Sequence, residues 1–139
     1  MDLAPDFINR IRLDDDVAAV IVFGSASRGN LQPLSDLDLA VLLSDRLSKD
    51  QRMEKQLSLL GLANFIFKTD EIDLIILNEA TPRMAYNILK TGMVLFIRDK
   101  NSYTDFRERI TRHYLDFKYF RDSFDREFLK GIGYNGRTN

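Results

Sequence analysis

Apolar positions along the 139 residues follow two periods. Val17 to Phe23 (VAAVIVF) is apolar on both alternating faces, the pattern of a strand buried between two layers, and it is expected at the centre of a sheet. Three further stretches predict strands. Asp36 to Leu43 starts with alternation and ends in an apolar run, Glu71 to Leu77 (EIDLIIL) is apolar except for one inner acid, and Met93 to Ile97 is apolar throughout.

The intervening segments change to helical spacing. Pro5 to Leu13 predicts a short helix with Phe7, Ile8 and Ile11 on one side. Ser48 can cap a longer helix in which Met53, Leu57, Leu60 and Phe67, with Ala63 and Asn64 between them, fall roughly three or four residues apart. Gly61 weakens that helix by roughly 1 kcal/mol and is a place where it can break. Thr81 and Pro82 open a third helix through Lys90, and Gly92 is placed to end it. From Ser102 to Leu129, Tyr103, Phe106, Ile110, Tyr114, Phe117, Phe120 or Arg121, Phe124 and Phe128 predict one long helix or two with a bend. Gly24 should end the first strand, Ser25 to Arg28 can begin a short helix, Leu31 to Ser35 reads as a loop, and GIGYNGRTN at the end should fray. Strands separated by helical crossovers give an α+β (mixed α/β) class, a small mixed β-sheet packed by helices with a long C-terminal helix.

Composition narrows the function classes. The length suits one domain, residues 1–139, without separate catalytic and binding domains. A net charge of -1 argues against a nucleic-acid-coating protein, so no direct nucleic-acid binding is expected. Without cysteine there is neither a disulfide nor a thiolate zinc site. The acidic start lacks the pattern of a signal peptide and no apolar run approaches the ~20 residues that span a bilayer, so the expected location is cytoplasmic, away from membranes. Asp14, Asp15 and Asp16 read as a solvated turn with no assigned role.

Chemistry concentrates between Val20 and Leu43, in VIVFGSASRGNLQPLSDLDLAVLL. Asp36 and Asp38 stand two apart on a strand and therefore share a face. Side by side, such acids repel unless a cation lies between them. Magnesium suits this position because it favours hard oxygen ligands shared between carboxylates and phosphates. Gly24 permits close backbone approach, Ser25 offers a hydroxyl, and the helix start that follows offers free N–H groups to a phosphate. Arg28 either contacts phosphate or forms a surface ion pair. Asp73, alone in an apolar strand, must be paired, metal-bound or turned to solvent. If its strand lies beside Asp36 and Asp38, the three acids can hold two magnesium ions for an in-line displacement, with Asp73 on the second ion and available as a base. The plain alternative is that Gly24 makes a turn, Ser25 caps a helix and the two acids start a surface strand.

The combination of Gly24-Ser25, ten residues, and Asp36-Leu37-Asp38 resembles the signature of the polymerase-beta-type nucleotidyltransferases. Arg28-Gly29 and Ser35-Asp36 also match, and ILKTGMVLFIRD is similar to the closing helix and strand of the minimal members, so the resemblance covers about residues 15–100. It implies a nucleotidyltransferase core in which Asp36, Asp38 and Asp73 hold magnesium and act in catalysis, while Gly24, Ser25 and Arg28 bind the nucleotide. The small size resembles the antitoxins encoded beside HEPN-domain ribonuclease toxins. That resemblance implies transfer of AMP from ATP to a toxin tyrosine, with release of pyrophosphate. The aromatic segment 102–129 is expected to serve such a partner, or a second copy in a homodimer. Two rival functions are a non-catalytic antitoxin acting by contact and a nucleotidyltransferase for a small molecule such as an aminoglycoside. Arg107 and His113 match the spacing of HEPN ribonucleases themselves, but Leu115 stands where the partner tyrosine would be, and His113 is taken as an ordinary helix residue.

Overall fold

The computed structural model describes residues 4–24 and 37–131. Within them, α1 (Ala4–Ile11) leads to β1 (Val17–Phe23), followed by β2 (Leu37–Leu43), α2 (Lys49–Phe67), β3 (Ile72–Ile76), a 3-10 turn (Leu77–Glu79), α3 (Pro82–Thr91), β4 (Met93–Ile97) and α4 (Lys100–Gly131). The sheet has the order β3-β2-β1-β4. β1 is antiparallel to β2 and β4, and β2 is parallel to β3. The apolar run of β1 therefore has a neighbour on each side, as its sequence predicts.

Both faces of the sheet are covered. Val20, Val22, Leu39, Val41 and Leu74 point toward α1 and α2, where Phe7, Ile11, Leu59, Ala63 and Phe67 close the first core. Ala19, Ile21, Ala40 and Leu42 point the other way, against Ala85, Ile88 and Leu89 of α3 and Tyr103, Phe106 and Ile110 of α4. The small residues Ala19 and Ala40 let the second pair of helices approach closely. An irregularity between Val17 and Ala19 shifts the β1 register, so residues that would break strict alternation still reach the right face.

Local chemistry fixes the ends of these elements. Ser48 and Gln51 form a reciprocal capping box at the start of α2. Thr81 caps α3, whose first residue is Pro82. Gly92 ends α3 with φ near -78°, a conformation open to any residue. Its lack of a side chain serves a different purpose: a Cβ there would lie 2.5 Å from Ile21 Cγ2 and 2.6 Å from the Ile88 carbonyl oxygen. Asn78 donates to the Leu43 carbonyl and accepts from the Leu43 N–H, so its amide continues the pairing of β2. Arg98 donates to the carbonyls of Ile11, Arg12, Asp14 and Val17, tying β4 to the turn before β1.

Several expectations need correction. α2 runs unbroken through Gly61, and its buried side is Leu59, Ala63 and Phe67, while Met53 and Leu57 are exposed. The helix is apolar on two sides, and the sequence alone does not say which side meets the sheet. β3 stops at Ile76, and Leu77 enters the 3-10 turn. The acids of the turn before β1 are engaged: Lys55 pairs with Asp14 at 2.9 Å and Asp16 at 3.5 Å, and Arg46 pairs with Asp16 at 2.6 Å. α4 is one helix of 32 residues without a break. No described helix is long and apolar enough to cross a membrane.

Candidate functional site

Asp38 is the second residue of β2, and its Cα partner on the parallel neighbour β3 is Asp73. Partners across a ladder project to the same face. The two carboxylates, far apart in sequence, thus stand side by side at the end of the sheet where β2 and β3 begin. A backbone hydrogen bond from Leu37 N–H to the Glu71 carbonyl, 3.0 Å, closes the ladder just before them. The condition set by the sequence, that the strand of Asp73 should lie beside that of Asp38, is met.

The face on which they lie is that of Ala40, Leu42 and Ile75, which α3 and α4 cover farther along the strands. At the strand starts that cover ends. Asp38 is half-buried and Asp73 exposed, so Asp73 avoids the cost of an unpaired carboxylate in a core by facing solvent.

Gly24 completes the described part of the site. Phe23, the last residue of β1, is the cross-strand partner of Asp38, which brings Gly24 over the Asp38 side chain. Gly24 has φ of +72°, the left-handed region that side chains disfavour. A Cβ built there would collide with Asp38 Oδ2. Both features require glycine: one sets the direction in which the chain leaves β1, the other leaves room for the carboxylate.

Ser25, Arg28 and Asp36, the remaining site residues expected from sequence, lie outside the described residues. Among the described residues no group of three or more His, Cys, Asp or Glu side chains forms a potential metal site. The pair Asp38 and Asp73 nevertheless fits a hard divalent cation in kind. Both offer carboxylate oxygens, and both lie on one face.

A cleft of about 360 Å³ opens at the other end of β2, among Leu42, Ser44, Asp45, Asp99, Phe106 and Arg109. It is remote from the carboxylate pair, and Arg98 on its wall is already committed to backbone carbonyls. His113 is exposed on α4, with no hydrogen bond or ion pair among the described residues.

On α4 the inward stripe changes character along its length. Tyr103, Phe106 and Ile110 are buried in the second core, and Tyr114 stacks on Tyr86 of α3 with ring centroids 4.1 Å apart. Phe117, Phe124 and Phe128 continue the same side, and they are exposed, as are Tyr119 and Phe120. Three of the eight aromatic residues are therefore packed on the domain and five are exposed.

A sequence model described as "Polymerase beta, Nucleotidyltransferase" matches residues 7–101. The chain is 28% identical over 96 residues to the protein adenylyltransferase MntA of Aphanizomenon flos-aquae, a match covering 66% of this chain and 64% of that protein. A crystal structure of a mutant MntA–HpeT toxin–antitoxin superposes with a TM-score of 0.67 at 20% identity, covering 91% of this chain and 98% of that one. A toxin–antitoxin structure with AMP-PNP gives 0.65 at 22% identity, with coverages of 89% and 97%. The complex of a tri-AMPylated Shewanella oneidensis HEPN toxin with its MNT antitoxin gives 0.59 at 19% identity, with coverages of 91% and 97%. The three structures share this fold.

Proposed function

The chain belongs to the polymerase-beta nucleotidyltransferase family, and on that premise we propose that it is an antitoxin that transfers AMP from ATP to a tyrosine hydroxyl of a HEPN ribonuclease toxin. The observation that carries the proposal is the pairing of Asp38 with Asp73 beneath a glycine that only glycine can replace. Two carboxylates side by side on one face repel one another, and a divalent cation shared between them would offset that repulsion.

In this reading Asp36, Asp38 and Asp73 hold magnesium, and Gly24, Ser25 and Arg28 receive the phosphates of ATP. Magnesium, when bound, would supply charge neutralisation of the triphosphate and acidify the attacking hydroxyl. Asp38 is held in one direction by its place in β2 and by the space at Gly24. Asp73, exposed on the neighbouring strand, is positioned to meet an acceptor arriving from solvent and to take its proton. Transfer then joins the acceptor oxygen to the α-phosphorus as the bond to pyrophosphate breaks.

The domain boundaries follow the same logic, with residues 15–100 as the catalytic core and 102–129 as the segment that recruits protein. Five exposed aromatic side chains on α4 present on the order of 600 Å² of apolar surface, more than a solvated helix needs. Similar proteins occur in complexes with toxins, which favours a toxin over a small-molecule acceptor as the occupant of this surface.

The test combines the protein, ATP, magnesium and a candidate HEPN-domain partner. Intact-mass measurement should show one or more AMP additions on the partner, mapped by fragmentation to tyrosine. Asp38→Asn and Asp73→Asn should each lower transfer by roughly a hundredfold or more with unchanged secondary structure. Neutralisation of the toxin without added mass would leave inhibition by contact as the function.

A further inference from the structure

The outward side of α2 has no role in the catalytic site or the core, yet it is apolar. Met53, Leu57 and Phe65 are 57%, 64% and 76% exposed, and they recur every fourth or eighth residue. Gly61 fills the remaining place in that series. Leu13, 81% exposed, lies beside Phe65 in the groove between α1 and α2.

Gly61 has no explanation among the described residues of the domain. It lies inside a continuous helix, where glycine costs roughly 1 kcal/mol relative to alanine, and a Cβ added there would meet nothing within 4 Å. Nothing among the described residues requires the gap. A flat spot flanked by large apolar side chains is what a second helix needs to cross closely.

The pattern around Gly61 is complementary to itself. Leu57 and Phe65 stand four residues to either side, and Glu54 and Lys68 stand seven to either side. Glu54 and Lys68 are exposed, and neither makes an ion pair among the described residues. Two α2 helices crossing antiparallel at Gly61 would set Leu57 of each against Phe65 of the other, and Glu54 of each against Lys68 of the other. Asp50 extends the acidic end and Arg10 the basic end, although Asp6 also borders the groove. Such a surface, with the same patch on both partners, is what a two-fold dimer requires.

We propose that the protein forms a two-fold homodimer through the outer face of α2, centred on Gly61. The exposed parts of Leu13, Met53, Leu57 and Phe65 supply on the order of 500 Å² per copy, about 1,000 Å² for the pair, which reaches the size of a specific interface before the charged stems are counted. This surface lies on α2, on the sheet face opposite α4, so the dimer leaves the aromatic helix available. The inference does not rest on the proposed transferase activity.

Sedimentation equilibrium of the full chain alone, without ATP or partner, tests it. The expected result is a dimer whose dissociation constant rises at least tenfold in Leu57→Asp and in Glu54→Lys. The double exchange Glu54→Lys with Lys68→Glu should recover most of the loss, since each charge would again face its opposite. Replacing Phe117 and Phe124 by Ser should leave the dimer intact. A chain that is monomeric at concentrations of hundreds of micromolar would overturn the proposal. So would a dimer that is unaffected by Leu57→Asp but lost when the α4 aromatics are replaced.

Discussion

Two glycines in this protein predict opposite responses to the same substitution. At Gly24 alanine would have to adopt a positive φ and push its methyl group into the Asp38 carboxylate, a strain of roughly 1–3 kcal/mol. Gly24→Ala should therefore lower the melting temperature and reduce nucleotidyl transfer at least tenfold. At Gly61 the space is open, and alanine should raise the stability of the monomer by about 0.5–1 kcal/mol. Denaturant titrations at concentrations low enough to keep the chain monomeric would compare the two. Gly92 shows how a sequence can identify a residue for an incomplete reason. Its position after α3 was legible as a helix end, whereas the crowding against Ile21 became visible only once β1 and α3 had been brought together.

Charge at the residue scale sets a pH range for stability. The Arg46 guanidinium bonded to Asp16, with Lys55 nearby, holds the Asp16 carboxyl below its usual value of 3.8. A group whose pKa falls on folding stabilises above its unfolded pKa, and that contribution disappears as pH drops through the folded value. Lys55, held above its usual 10.5 chiefly by its hydrogen bond to Asp14, acts in the opposite direction: its contribution is present below 10.5 and is lost as pH rises past it. Thermal melts should accordingly weaken below about pH 4 and above about pH 10.5, and Lys55→Met should flatten the alkaline limb. The triple acid could be seen in the sequence, but its cations come from Arg46 and from Lys55 on α2, so only the fold reveals that they are paired.

At the scale of elements, continuous apolar runs were the most legible. β1 was found over the residues expected, because a strand buried on both faces has no phase to mistake, and β4, an edge strand with Met93 and Val94 exposed, was found from its continuous apolar run. α2 was found with Ser48 as its cap, but the spacing that identified it includes Met53 and Leu57, which are exposed. A helix apolar on two sides provides no clear phase, and tertiary packing chose Leu59, Ala63 and Phe67. α4 was legible as a helix, but not the point at which the domain stops covering it. From Leu115 to Gly131 it extends for about 25 Å with its aromatic side chains exposed. Truncation after Tyr114 should thus shift the melting temperature by no more than a few degrees, while abolishing modification of the partner protein. Calorimetry and the mass assay together would show both effects.

For the whole molecule, the order β3-β2-β1-β4 is the information the chain least discloses in advance. The motif near Gly24 identified the chemistry because its residues are close in sequence. Which strand would deliver Asp73 depended on a crossover through α2, a choice made by packing over the entire sheet. Both carboxylates were legible as candidates, and their adjacency was not.

Under the proposed function, that adjacency ties activity to the timing of folding. The parallel pairing of β2 with β3 must wait until α2 has crossed the sheet, so the contact between Asp38 and Asp73 is among the non-local contacts whose loop-closure cost is met late. A chain still emerging from the ribosome, or one opened by a protease along α2, holds Gly24 and Asp38 but not Asp73 beside them. Such a chain would be unable to consume ATP unproductively, and catalysis would report a finished fold.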